Sequence, residues 1–170
     1  GTKRKRARSG AFKQAVRGFV AGGGFRHPAG MNHQNVEEIA SKVVDTAFRL
    51  HRDLGPGLLE SVYEVVLAKM LEEQGLKVVR QAAVPIRYAG LVIEEGFRAD
   101  LVVEGAVIVE LKSVEELAPV HHKQLLTYLR LTNRPLGFLI NFGAEKFSKG
   151  VRRLINGQGD LGPSPLRINC

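Results

Sequence analysis

In the stretch Phe97 to Ser113, FRADLVVEGAVIVELKS, two short runs rich in Val, Ile and Leu meet at Glu104-Gly105. Alternation with period two and a glycine at the joint predict a β-hairpin. On the first strand Phe97, Ala99, Leu101 and Val103 are expected to point one way, and Arg98, Asp100 and Val102 the other. On the return strand Val107, Val109 and Leu111 alternate with Ile108, Glu110 and Lys112. A three-residue loop centred on Gly105 sets Asp100 opposite Glu110. Asp100, Glu110 and Lys112 then share one face. Two carboxylates side by side repel, so such a pair needs positive charge between them. Lys112 supplies part of it. A divalent cation would supply the rest, and a carboxylate pair with open coordination positions suits Mg²⁺. The competing reading is an exposed polar strand face carrying a salt bridge. Val102 and Ile108 on the same face weigh against it, because they predict that the face is covered.

At 170 residues the chain has the length of one domain with room for a tail. No run approaches the roughly 18 apolar residues of a membrane span. The single cysteine, Cys170, excludes a disulfide framework and a cysteine-based zinc site, and fits a reducing, cytoplasmic interior. A net charge of +8 and a pI near 9.9 look like a nucleic-acid signal, but the charge is uneven. Lys3, Arg4, Lys5, Arg6, Arg8, Lys13, Arg17 and Arg26 fall in residues 1–30, which hold no acid. The 25 basic residues less these eight leave 17, against 17 acidic ones, so the rest of the chain is neutral. Bulk charge therefore says nothing about its partner.

Residues 1–30 have no periodicity and read as a disordered basic leader. Three origins fit: a nucleic-acid-binding arm, a targeting segment, or a stretch upstream of the true start at Met31. From Asn35 to about Leu54, Val36, Ile39, Ala40, Val43, Ala47 and Leu50 follow helical spacing, opened by a near capping box at Asn35 and Glu38. Gly55-Pro56-Gly57 stops this helix, and His51 in its last turn reads as a dipole or surface residue. Leu59, Val62, Tyr63, Val66, Leu67, Met70 and Leu71 form a second helical stripe that ends at Gly75. Lys77 to Tyr88 is extended, with Pro85 marking an edge or a bulge. Ala89-Gly90 is a turn, and Leu91 to Glu95 is a further short strand. After the hairpin, Pro119 opens a helix to about Thr132 with His121, Gln124 and Tyr128 on one side. Leu136 to Asn141 reads as a buried strand reached by a crossover, which implies parallel pairing. Phe147, Val151, Leu154 and Ile155 are expected to form a short packing helix. From Gly157 to Cys170 the chain reads as a flexible tail. A Gly-rich phosphate loop, a G-x-S-x-G elbow and an H-E-x-x-H helix are all absent from the sequence.

Asp100, nine residues, Glu110, one residue, Lys112 resembles the signature of the PD-(D/E)XK nuclease superfamily, with Ala99 in place of the leading proline. Gly57-x-x-Glu60-x-x-Tyr63 resembles the opening of one branch, the GxxExxY proteins, and that resemblance runs from about Asn35 to Asn156. Gln124-x-x-x-Tyr128 on the helix after E-x-K resembles an accessory motif of several branches. The resemblance implies a restriction-endonuclease-like α/β domain over residues 31–156, a central mixed sheet flanked by helices. It implies metal-dependent phosphodiester hydrolysis on nucleic acid, DNA ahead of RNA, with Mg²⁺ or Mn²⁺. Asp100, Glu110 and the Leu111 carbonyl would hold the ion, and Glu60 would orient water or a second ion. Lys112 would orient the nucleophile or stabilise charge on phosphate oxygens. Gln124 and Tyr128 would position substrate or Lys112, and His121 would position substrate. The alternative is a catalytically silent module on the same fold that binds nucleic acid or protein.

Overall fold

The computed structural model describes residues 33–156. The leader at 1–30, Met31 and the tail from 157 lie outside the described residues. The elements follow in the order α1 (His33–Leu54), α2 (Glu60–Glu72), β1 (Val78–Tyr88), β2 (Leu91–Val103) and β3 (Val107–Lys112). They continue with α3 (Pro119–Thr132), β4 (Leu136–Asn141), α4 (Phe147–Gly150) and β5 (Val151–Ile155). The five strands form one sheet in chain order, antiparallel except for the parallel β3–β4 pair. This is a restriction-endonuclease-like α/β fold. Among the described residues no helix is long and apolar enough to cross a membrane.

Both sheet faces are covered, and this explains the continuous apolar runs of β3 and β4. On one face α1 and α2 place Val43, Ala47, Leu50, Tyr63, Leu67 and Leu71 against Leu101, Val109, Leu111, Phe138 and Ile140. On the other, α3 places Leu125, Tyr128 and Leu129 against Val102, Ile108 and Leu139. The expected helices are present, although α1 starts at His33, so that Asn35 lies inside it rather than at its cap. Pro85 sits where the β1–β2 register shifts, on an edge strand, a position where proline is tolerated.

Four readings are corrected. Leu91 to Glu95 is not a separate strand: β2 continues through Gly96 as a single 13-residue strand. Strict alternation on β2 also fails. Phe97 and Ala99 pack with Val102 on the α3 side, whereas Leu101 and Val103 pack under α1 and α2. The break falls at Asp100, opposite a β1 residue, Gln81, whose φ of 48° departs from extended geometry. His51 is not a surface residue. It is 8% exposed, its Nε2 donates to the Ala144 carbonyl at 2.7 Å, and its ring packs on Phe142 and Phe147. Finally, residues 151–155 are not helical. After the single turn of α4 they pair with β4, since a helix there would leave the outer edge of β4 without hydrogen-bond partners. Gly150 permits the close approach: a Cβ there would meet the Asn141 carbonyl oxygen at 2.4 Å.

Asn141, at the end of β4, is almost fully buried. Its Oδ1 accepts from the Val114 and Gly143 N–H groups at 3.0 Å each, and its Nδ2 donates to the Val114 carbonyl at 2.8 Å. The chain leaving β3 is thereby clamped to the end of β4. Asn141→Ala leaves three backbone groups unpaired there, each costing about 1–3 kcal/mol when buried, with water recovering part. Urea unfolding is expected to register a loss on the order of 3 kcal/mol.

Candidate active site

The hairpin joining β2 and β3 turns as its sequence requires. Leu101, Val102 and Val103 pair with Val109, Ile108 and Val107, so the next pair in register is Asp100 with Glu110. The intervening loop is Glu104, Gly105 and Ala106. Glu104 and Gly105 have φ of 50° and 66°, and Ala106 N–H donates to the Val103 carbonyl at 3.0 Å, the pattern of a primed turn. Asp100, Glu110 and Lys112 therefore meet on the face covered by α3. The Leu111 N–H fixes the aspartate by donating to Asp100 Oδ2 at 2.8 Å.

The electrostatics are those of a crowded acid pair. Glu110 is 6% exposed, and its Oε1 is buried without a hydrogen-bond partner. Burial first, and the neighbouring Asp100 charge second, push the Glu110 carboxyl up to about 8, with Lys112 opposing. Asp100 is raised chiefly by burial, against the Leu111 N–H and Lys112, which lower it, and Glu64, which raises it. One orphaned oxygen beside a second carboxylate suits a divalent cation, which would remove the repulsion and satisfy the lone pairs. Among the described residues no three or more His, Cys, Asp or Glu side chains gather into a group that could hold a metal ion, so Glu60 does not join Asp100 and Glu110 in one. The pair fits an ion that keeps several waters rather than one enclosed by protein.

The helices bring further groups to this edge. Gly57 adopts φ 108°, a conformation rare for any residue with a Cβ. Tyr63 OH donates to the Gly55 carbonyl at 2.5 Å and accepts the Leu58 N–H at 3.2 Å, fixing the entry to α2. Glu60, in the first turn, accepts the Ser113 N–H at 3.1 Å, and Ser113 Oγ donates to the Leu58 carbonyl at 2.7 Å. Glu60 thus lies one residue beyond Lys112, bonded to the chain leaving β3. One turn on, Glu64 is 5% exposed and paired with Arg80 at 2.9 Å. Its other oxygen accepts from Gln81 Nε2 at 2.5 Å, and the same amide reaches Asp100 Oδ1 at 3.4 Å.

From α3, Tyr128 stacks on Phe97 with ring centroids 3.6 Å apart and planes at 5°. Gln124 Nε2 donates to the Tyr128 hydroxyl. Burial raises the Tyr128 phenol, Gln124 lowers it, and the Glu110 and Asp100 charges raise it further, so the phenol lies within the field of the acid pair. His121 stands apart from this group. Its Nδ1 accepts the Ala118 N–H at 3.1 Å and closes the start of α3.

The family model of the PD-(D/E)XK nuclease superfamily matches residues 37–154. The chain belongs to that superfamily. No curated protein and no solved structure matches it significantly. Nucleases of this superfamily typically use Mg²⁺ or Mn²⁺, and the chemistry of the Asp100–Glu110 pair agrees with such an ion.

Sequence reasoning missed Glu64, Arg80, Gln81, Phe97 and Asn141 as parts of this neighbourhood. Glu64 had a signal, since it lies four residues from Glu60 on the same helical face. Arg80, Gln81 and Phe97 had none, because their approach depends on how β1, α2 and α3 meet.

The Glu110 shift predicts a pH dependence in the metal-free protein. Its folded value, about 8, lies above the ordinary 4.5, so the folded state holds the proton more tightly. The resulting stabilisation is complete below pH 4.5 and is lost as pH rises to about 8. In EDTA, the parent is expected to lose stability across this window relative to Glu110→Gln, whose amide does not titrate. Urea titrations at half-unit pH steps measure the difference. A difference that stays flat would contradict the buried acid.

Proposed function

We propose that this chain is a Mg²⁺- or Mn²⁺-dependent nuclease that hydrolyses phosphodiester bonds in nucleic acid, DNA ahead of RNA. The observation carrying the proposal is the Asp100–Glu110 pair on one sheet face, Glu110 buried and Asp100 half-buried, with an unpartnered Glu110 oxygen and Lys112 two residues along. Asp100 and Glu110 would hold the ion, with the Leu111 carbonyl as a backbone ligand. When bound, the ion supplies Lewis-acid activation of water and neutralises the scissile phosphate. Lys112 carries the fixed positive charge that stabilises the phosphate oxygens as charge builds on them. Glu60, bonded to the Ser113 N–H just beyond Lys112, would orient water. Tyr128, held by Gln124 and braced on Phe97, positions the substrate strand, with His121 at the start of the same helix.

Within the superfamily we assign the chain to the GxxExxY branch. Support comes from the physical coherence of Gly57, Glu60 and Tyr63 as one device: the glycine makes the turn, the tyrosine ties it, and the glutamate bonds the end of the catalytic hairpin. A second reading has one observation behind it. Beyond the leader, basic and acidic residues balance at 17 each, whereas nucleic-acid sites ordinarily stand on basic ground. On that reading the domain is a silent binding module.

Asp100→Asn separates the two. It keeps the size of the side chain and removes the charge that would hold the ion. Metal-dependent cleavage of single- and double-stranded DNA and RNA should disappear, while Tm in EDTA stays equal or rises as repulsion is relieved. Added Mg²⁺ should raise the Tm of the parent and not of the variant, because a ligand of the folded state alone stabilises it. Lys112→Met should lose cleavage and keep the metal response. A parent that neither cleaves nor responds to Mg²⁺ or Mn²⁺ would leave the silent module.

A further inference from the structure

Among the described residues, four other than glycine have positive φ: Gln81, Ala89, Glu104 and Asn133. Three of these have ordinary local reasons. Ala89 and Glu104 lie in tight turns, and Asn133 caps the C-terminus of α3 in the left-handed region. Gln81 lies inside β1, flanked by the regular pairs Arg80–Leu101 and Ala82–Ala99. A residue with a Cβ is held there only when its surroundings over-determine it, and such strain clusters at functional sites.

The surroundings of Gln81 are two carboxylates. Its Nε2 donates to Glu64 Oε2 at 2.5 Å and reaches Asp100 Oδ1 at 3.4 Å. An amide nitrogen carries two hydrogens, so one group can serve both acids, and an acceptor oxygen turned toward them would be repelled. Asp100 Oδ2 is already taken by the Leu111 N–H. Gln81 therefore completes the fixing of Asp100, one bond to each oxygen. It also ties Asp100 to a buried acid on α2 that Arg80 neutralises. The backbone carbonyl of Gln81 is held in turn by Arg98 Nη1 at 3.2 Å.

We propose that Gln81 is a positioning residue. Its strained backbone aims the carboxamide between Glu64 and Asp100, sets the orientation of Asp100 toward Glu110, and so sets the affinity of the acid pair for a divalent cation. The proposal rests on the reading of Asp100 and Glu110 as ion ligands. Gln81 touches neither substrate nor ion. It acts through Asp100, as partners of metal-binding carboxylates do, whose loss typically lowers affinity or activity about 10- to 100-fold.

Gln81→Gly is the informative substitution, because glycine adopts φ 48° without strain and has no amide. A purely structural role predicts that stability and ion binding fall together. The positioning role predicts that they part: Tm in EDTA unchanged or raised, and Kd for Mn²⁺ by calorimetry weakened about 10- to 100-fold. Gln81→Asn tolerates the same backbone but is one methylene shorter, and should weaken binding similarly. A double-mutant cycle with Glu64→Gln, read by melts in EDTA, tests the bridge without any ion. Coupled effects support it. Additive effects, or Mn²⁺ binding by Gln81→Gly equal to the parent, overturn the role of Gln81 and leave the ion site standing. A parent that binds no Mn²⁺ while the cycle is coupled overturns the ion site, and the positioning role with it.

Discussion

Two carboxylates held on one covered sheet face constrain the rest of this structure. Asp100 and Glu110 face each other across β2 and β3 beneath α3, where burial raises both carboxyls, the Asp100 charge adds to the rise at Glu110, and the Glu64 charge adds to the rise at Asp100. A fold evolved for stability alone would place apolar residues there, since a buried charge without full compensation is costly. The surrounding parts read as compensation. Lys112 lies along the same face, the Leu111 N–H pins one aspartate oxygen, and the Gln81 amide approaches the other. Glu110 Oε1 is left buried without a hydrogen-bond partner.

The scaffold holds this edge from two directions. From the helical layer, α2 bonds the chain leaving β3 through Glu60 and Ser113, and Tyr63 secures the loop that feeds it. Tyr63 also stacks on Phe142 with centroids 4.3 Å apart, so the same ring belongs to the core. From the sheet, Asn141 clamps Val114 to the end of β4. Lys112, between these two anchors, leaves the sheet with its direction fixed. Such support is what a site requires when charged groups must hold their geometry before substrate arrives.

Much of the hairpin and the flanking helices was legible in the sequence, because both follow from local rules. Alternation from Leu101 to Val103 and along β3, a glycine able to take positive φ and a return strand of matching length set the Asp100–Glu110 register without help from the rest of the chain. Helical stripes in 36–50 and 59–71 matched α1 and α2 because the spacing of buried residues is a property of the helix itself. Residues 151–155 were misread for the opposite reason. Val151, Leu154 and Ile155 fit a helical spacing, and only the open edge of β4 makes a strand the better solution.

The sequence by itself determined that Asp100, Glu110 and Lys112 could share a face, and with them the kinship, but not the face on which Phe97 and Ala99 lie. Tertiary structure decided which groups from elsewhere reach that pair. Glu64 and Gln81 approach Asp100 because α2 packs beside β1 and because one residue inside a strand departs from extended geometry. His51 became a core residue because Phe142 and Phe147 close over it, and His121 closes the start of α3. The physical reason is the range of the interactions. Strand pleat, helix pitch and turn chirality act over a few residues and are written locally. The partner of a buried polar group is chosen by whichever distant element packs closely enough to exclude water.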